Sequence, residues 1–189
     1  MSTIYSFHEN APVSTAVTDA AIFPVIQSGV LKQVTGAVLN SSRGGVVDTT
    51  ATSLAVTQAL HGNKVVTVSS AVPIAITMPQ ATGTGTTYRF VLQVVATATG
   101  HTLKVANATD SFTGVYMSPC TATATHMGFA AVTSATTATR SDTLTFNGTT
   151  TGGAPGMIID VQDIQTGFFA IKVVDTCVST TTTPFSAGV

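Results

Sequence analysis

Ionised side chains are scarce in this chain. Asp, Glu, Lys and Arg make up 8% of its 189 residues, where an ordinary soluble domain carries about 25%. Seven basic residues stand against eight acidic ones, a formal net charge of -1. Binding to phosphate chains needs clustered Lys and Arg. Here Arg43, Arg89 and Arg140, and Lys32, Lys64, Lys104 and Lys172, are scattered singly, so no nucleic-acid partner is expected unless folding assembles a basic patch. Trp is absent and Tyr numbers three, which leaves few of the aromatic platforms on which sugars and single-stranded bases stack. The two cysteines, Cys120 and Cys177, are far apart and form no C-x-x-C pair. They read as reduced thiols, with a bridge formed after lysis as the alternative.

Long hydrophobic runs are also missing. The most apolar stretches, residues 90–98 and 157–161, fall far short of the ~20 residues that cross a bilayer, and no membrane partner is expected. The N-terminus has neither a basic n-region nor a continuous apolar h-region, which predicts folding in a cytoplasm rather than export by a signal peptide.

Catalytic chemistry finds little material. His8, His61, His101 and His126 lie in four separate neighbourhoods without ligand spacing, and no metal site or cofactor is expected. Asp160 and Asp163 lie close together, but an odd offset in an extended chain sends them to opposite faces. Both read as solvated turn carboxylates rather than an acid–base pair. No serine sits in a G-x-S-x-G elbow, and Gly83-Thr-Gly85 lacks a third glycine and a following helix, so it reads as a hairpin connection, not a phosphate loop. Asn40-Ser-Ser, Asn107-Ala-Thr and Asn147-Gly-Thr match the glycosylation pattern, as chance allows where Thr and Ser are so frequent. The expectation is that this protein is not an enzyme.

What fills the chain instead is Thr, Ala, Val, Ser and Gly, with 44% hydrophobic residues. Thr and Val are β-branched, stiff at χ1 and suited to a pleated strand. Apolar residues alternate in Lys64–Ser69, where Val66 and Val68 share a face. They alternate again in Thr86–Val95, where Tyr88, Phe90, Leu92 and Val94 share one, and in Asp142–Phe146, where Leu144 and Phe146 do. Strands are predicted near 53–59, 64–69, 73–78, 86–96, 101–105, 111–117, 126–132, 142–146, 156–164 and 168–176. Turn residues separate them at the spacing of an all-β sandwich. Almost no helix is expected after residue 45. Of nine Phe, Phe90, Phe146, Phe168 and Phe169 read as core.

The predicted fold is therefore all-β: an antiparallel β-sandwich, jelly-roll-like, with immunoglobulin-like wiring sharing the same strand spacing. Residues 1–45 read as an N-terminal arm or mini-module ending at the polar break Asn40-Ser-Ser-Arg-Gly-Gly45. Residues 46–178 read as the sandwich body, and 179–189 as a Thr-rich tail that orders only against a neighbour. Charged residues are depleted at the cores of protein interfaces, so a body this poor in charge is expected to be partly covered by other subunits.

Two stretches carry a resemblance. Val13–Leu39 has a small-residue lead, Asp19, the Phe23-Pro24-Val25 triplet, Gly29, Lys32, then Val34-Thr35 and a short closing segment. It resembles an N-terminal module of phage fibre and decoration proteins. Ile74–Leu92, with its strand, Met78-Pro79 corner, Gly-rich turn and Tyr88-Arg-Phe-Val strand, resembles head decoration (cement) proteins of bacteriophages, in which Leu-Pro is the more usual corner. Asp110-x-x-x-Gly114 looks like that family's strand-to-strand turn. Together these cover about a quarter of the chain, and the pattern recurs in capsid decoration, tail-fibre and spike proteins alike. The resemblance implies a virion structural protein, often a homotrimer, that binds the phage major capsid protein on the capsid surface after assembly in the host cytoplasm. The candidate capsid or subunit contact is then Ile22, Phe23, Pro24, Val25 and Ile26. The same five residues packing on their own sandwich is the plain alternative. A tail-fibre or spike domain binding a host surface glycan is the rival function, and a glycan or peptidoglycan hydrolase, with no residue pair behind it, is the third.

Overall fold

The computed structural model describes residues 45–95, 99–120, 125–176 and 182–189, together with the backbone of two N-terminal strands. These strands, β1 (Ile22–Gln27) and β2 (Val30–Thr35), pair antiparallel, with Ile26 opposite Leu31 and Phe23 opposite Val34. They belong to a unit spanning residues 1–42, separate in its contacts from residues 43–189.

The second unit is a β-sandwich. Its strands are β3 (Val46–Thr49), β4 (Ser53–Ala55), β5 (Val65–Val68), β6 (Ala75–Thr77), β7 (Thr87–Leu92), β8 (His101–Lys104), β9 (Ser111–Cys120), β10 (Thr125–Ala130), β11 (Thr143–Phe146), β12 (Ile158–Gln165), β13 (Phe168–Val174) and β14 (Phe185–Ser186). The only helix among the described residues is one turn, α1 (Gln58–His61), started by the Thr57 hydroxyl accepting from the Leu60 N–H. The seven-stranded sheet runs β10-β9-β13-β12-β7-β5-β3 and the five-stranded sheet β14-β11-β8-β6-β4. Each of the ten strand segments predicted from the sequence overlaps an observed strand.

Pairing inside the sandwich is mixed, where an antiparallel arrangement was expected. From β3 to β9 the chain changes sheet at every connection, so β3, β5 and β7 run parallel in one sheet and β4, β6 and β8 in the other. A parallel pair needs a crossover between its strands; here the crossover is a strand of the opposite sheet rather than a helix. The segment winds as a short coil whose turns stack in register. Val47, Val66 and Phe90 align on one side, and Leu54, Ile76 and Leu103 on the other. The Gly83-Thr-Gly85 loop, expected to be a hairpin, is one of these sheet-to-sheet crossings. β9 and β13 form a further parallel pair, and β12 pairs antiparallel with both β7 and β13.

The core lies between the sheets. From the larger one come Val66, Phe90, Phe112, Tyr116 and Phe169, and from the smaller Ile76, Leu103, Leu144 and Phe146, all buried. Period-two alternation places Tyr88, Phe90 and Leu92 inside and Arg89 outside, as the sequence suggested. Phe168 corrects the expected core: it is 37% exposed while Phe169 is fully buried. Neighbours on one strand must face opposite ways, so only one of the two can enter.

The tail is part of the body. β14 pairs with β11, Phe185 is buried with the core, and the N–H of Gly188 donates to the Asp142 carboxylate at 2.6 Å. These contacts pack residues 184–189 on the body within the chain. Truncating a buried Phe costs roughly 3–5 kcal/mol, and the low end applies at a sheet edge. Phe185→Ala is expected to lower the urea midpoint by the equivalent of about 3 kcal/mol, with an unchanged denaturant slope.

Candidate functional site

Four aspartates of the body are buried: Asp110, Asp142, Asp163 and Asp175. A buried carboxylate needs hydrogen-bond donors to offset its desolvation, and each of these finds them in backbone loops. Asp110 accepts from the Ala81 N–H at 3.0 Å and the Asn107 amide at 3.1 Å. Asp142 accepts from Thr143 and from the C-terminal Gly188 and Val189. Asp175 accepts from the N–H groups of Gly153, Ala154 and Thr176 and from the Tyr116 hydroxyl. These carboxylates fasten loops to strand ends.

Asp163 is the fullest case. Its two oxygens accept from the N–H groups of Thr82, Gly83 and Thr84, at 3.1, 2.7 and 3.0 Å, and from the hydroxyls of both threonines. Burial pushes its pKa up, but these donors together hold it below the ordinary aspartate value. The sequence reading of Asp163 as a solvated turn carboxylate is therefore corrected: it is 3% exposed. Ile159, Val161 and Asp163 alternate onto the inward face of β12, and the 82–84 loop folds over the end of that face. Asp160 does face outward. It holds Arg89 through two hydrogen bonds, Nε to Oδ1 at 2.6 Å and Nη2 to Oδ2 at 3.0 Å. With side chains 53% and 40% exposed, this pair contributes under about 1 kcal/mol to stability.

Two of the described histidines, His61 and His101, are also structural. His101 is fully buried, accepts the Ile74 N–H on Nδ1 at 3.1 Å and packs its ring on Phe146. His61 accepts the Thr57 N–H on Nδ1 at 3.0 Å, closing the single helical turn. Burial lowers the pKa of both. Among the described residues no group of three His, Cys, Asp or Glu side chains could hold a metal ion, and no helix is long and apolar enough to cross a membrane.

The contact candidates Ile22, Phe23, Pro24, Val25 and Ile26 all fall in β1, paired from Thr35 back to Leu31. Their side chains lie outside the described residues, as do the side chain of Cys120 and all of Cys177.

The body offers one feature that the sequence did not. On the outer face of the seven-stranded sheet a groove of about 500 Å³ runs across β5, β7, β12, β13 and β9. Arg89, Asp160 and Lys172 form a row across three adjacent strands, set by the pairing of Asp160 with both its neighbours. Lys64 lines the β5 end, and Gly114 and Ala170 lie toward the β9 end, where short side chains leave space. Three cations that stand singly in the sequence therefore line one groove together with one carboxylate. Nothing in the one-dimensional pattern signals this, because it depends on which strands lie side by side. The chain matches no family model, no curated protein and no solved structure.

Proposed function

We propose that the protein is a virion structural protein of the decoration (cement) type. In this reading it binds the outside of a phage head and stabilises contacts between major capsid subunits. The observation that carries the reading is where the few charges go. Of eight acidic residues, four are buried as loop fasteners and one is paired with Arg89. The solvent-facing remainder of the body is largely Thr, Ser, Ala and Val, including Val46 at 70% and Val132 at 54% exposure. Charged residues are depleted at the cores of protein interfaces, so the low charge of this surface supports a face that other subunits cover.

The mechanism is linkage: a ligand that binds only the assembled shell stabilises it by RT ln(1 + [L]/Kd). Association of three chains multiplies weak contacts through effective concentration. The N-terminal unit, with Ile22–Ile26, is the proposed anchor, and the sandwich is the outward body.

Light scattering of the purified 19.2 kDa chain tests the assembly: a trimer mass is expected, and a freely soluble monomer with no affinity for a shell overturns the reading. Copy number per particle separates a head from a tail location, since hundreds of copies fit decoration and a handful fit a fibre tip. Deleting residues 1–42 is expected to abolish occupancy on heads. Unchanged occupancy removes that unit from the mechanism.

A further inference from the structure

We propose that the groove on the outer face of the seven-stranded sheet is a binding site for a carboxylate-bearing oligosaccharide. The inference does not depend on where, or whether, the protein sits on a particle. Three features of the groove lead to it, and the first is charge. Lys64, Arg89 and Lys172 line it with Asp160 as the one carboxylate, a local balance of three minus one, or +2, in a chain whose formal net charge is -1. Asp160 is held by Arg89 in the only ion pair found among the described residues, so neither lysine has an ion-pair partner there. The anion that would neutralise the groove is not supplied by the body itself.

The second feature is shape. A volume of about 500 Å³ lies within the range of ligand-binding clefts, roughly 300–1,000 Å³. Lys64 and Lys172, the two cations that Asp160 does not hold, lie at strands three apart, which places their backbones about 14 Å from each other. Their heads can therefore reach an extended anion at two points.

The third feature is the neutral lining. Thr87, Thr113 and Gln162 line it with hydroxyl and amide groups. The Gln162 NH₂ donates to the Gly85 carbonyl at 3.3 Å, which leaves its amide oxygen as an acceptor. The Asn63 amide oxygen accepts from the Thr87 N–H and hydroxyl at 3.3 and 3.0 Å, leaving its NH₂ as a donor. Such groups match a polyhydroxylated chain. A peptide is the poorer fit, because strands β5, β7, β12, β13 and β9 are hydrogen-bonded on both sides and offer no free edge for strand addition.

The test is calorimetric titration of the full-length protein, at low salt, with tetragalacturonate (four linked uronic acids), maltotetraose and a tetraglutamate peptide. Tetragalacturonate is expected to bind, and maltotetraose to bind much more weakly. Lys172→Ala is expected to weaken the uronate about fivefold or more, through loss of a charge at the contact. Lys172→Glu is expected to abolish its binding, and Lys104→Ala, outside the groove, to leave it unchanged. Lys172 is exposed, so an unaltered melting temperature shows that a weakened variant is folded. The proposal is overturned if no probe binds, if maltotetraose binds as tightly as the uronate, if tetraglutamate binds as tightly, or if Lys172→Ala leaves uronate affinity intact.

Discussion

Gly114→Ala is expected to destabilise the sandwich by more than about 4 kcal/mol, enough to leave much of the chain unfolded at 37 °C, since whole domains hold only ~5–15 kcal/mol. Two costs combine at this position. Gly114 has φ +146°, a conformation that side chains rarely adopt. A Cβ there would also overlap the carbonyl oxygen of Ile171 and stand 2.8 Å from its carbonyl carbon. Neither atom can yield cheaply, because both belong to the backbone of β13, which Gly114 faces in the parallel ladder. Relief requires β9 to move away from β13, and β13 in turn carries Phe169, Ile171 and Val173 into the core. Gly85→Ala is the control. Gly85 also has a positive φ, +74°, but a Cβ there meets nothing within 4 Å, so the expected cost is the conformational one alone, about 1–2 kcal/mol. Urea unfolding of both variants tests the argument. Equal losses at the two positions would mean that the close approach of the strands contributes nothing.

Gly114 also shows how far the sequence can be read. As the end of Asp110-x-x-x-Gly114 it looked like a strand-to-strand turn, yet it lies within β9, and its requirement arises from a strand more than fifty residues away. The strands themselves were legible because they depend on local facts: β-branched runs, alternation and turn residues. Alternation also identified the inward faces of β5, β7 and β11 correctly. It failed at Phe168 only because two adjacent phenylalanines were both assigned to the core, which a period of two forbids. The direction of pairing was not legible. Hydrophobic alternation is the same in parallel and antiparallel sheets, and nothing in β3, β5 or β7 records that the chain visits the other sheet in between. β3 was missed because Val46-Val-Asp-Thr49 carries no apolar–polar alternation, and β14 because its two residues sit in a polar, Thr-rich tail. The groove was invisible for the same reason as the pairing: Arg89, Asp160 and Lys172 become neighbours only through register.

Asp163→Ala is expected to cost about 3 kcal/mol at neutral pH, because hydrogen bonds to a charged partner contribute ~1.5–3 kcal/mol each, while water reaches the exposed 82–84 loop and replaces part of what is lost. Three N–H groups of the 82–84 loop lose their acceptor together, and partial rearrangement of the loop keeps the total below their sum. Asp163→Asn retains one amide oxygen and the side-chain shape, and is expected to lose roughly half as much. The pH dependence follows from the sign of the shift. The folded pKa of Asp163 lies below the ordinary value, so its stabilisation is fully present above the unfolded pKa of about 4 and is lost as pH falls through the lower folded value. The buried histidines act earlier in an acid titration. Burial lowers the pKa of His61 and His101, so the unfolded chain takes up protons first, and stability declines as pH falls below about 6.5. Urea midpoints should therefore fall in two stages on acidification, one below pH ~6.5 and one below pH ~4. In Asp163→Ala the first stage should remain and the second should flatten. A second stage of undiminished slope in that variant would remove Asp163 as the principal fastener of the crossover between β6 and β7.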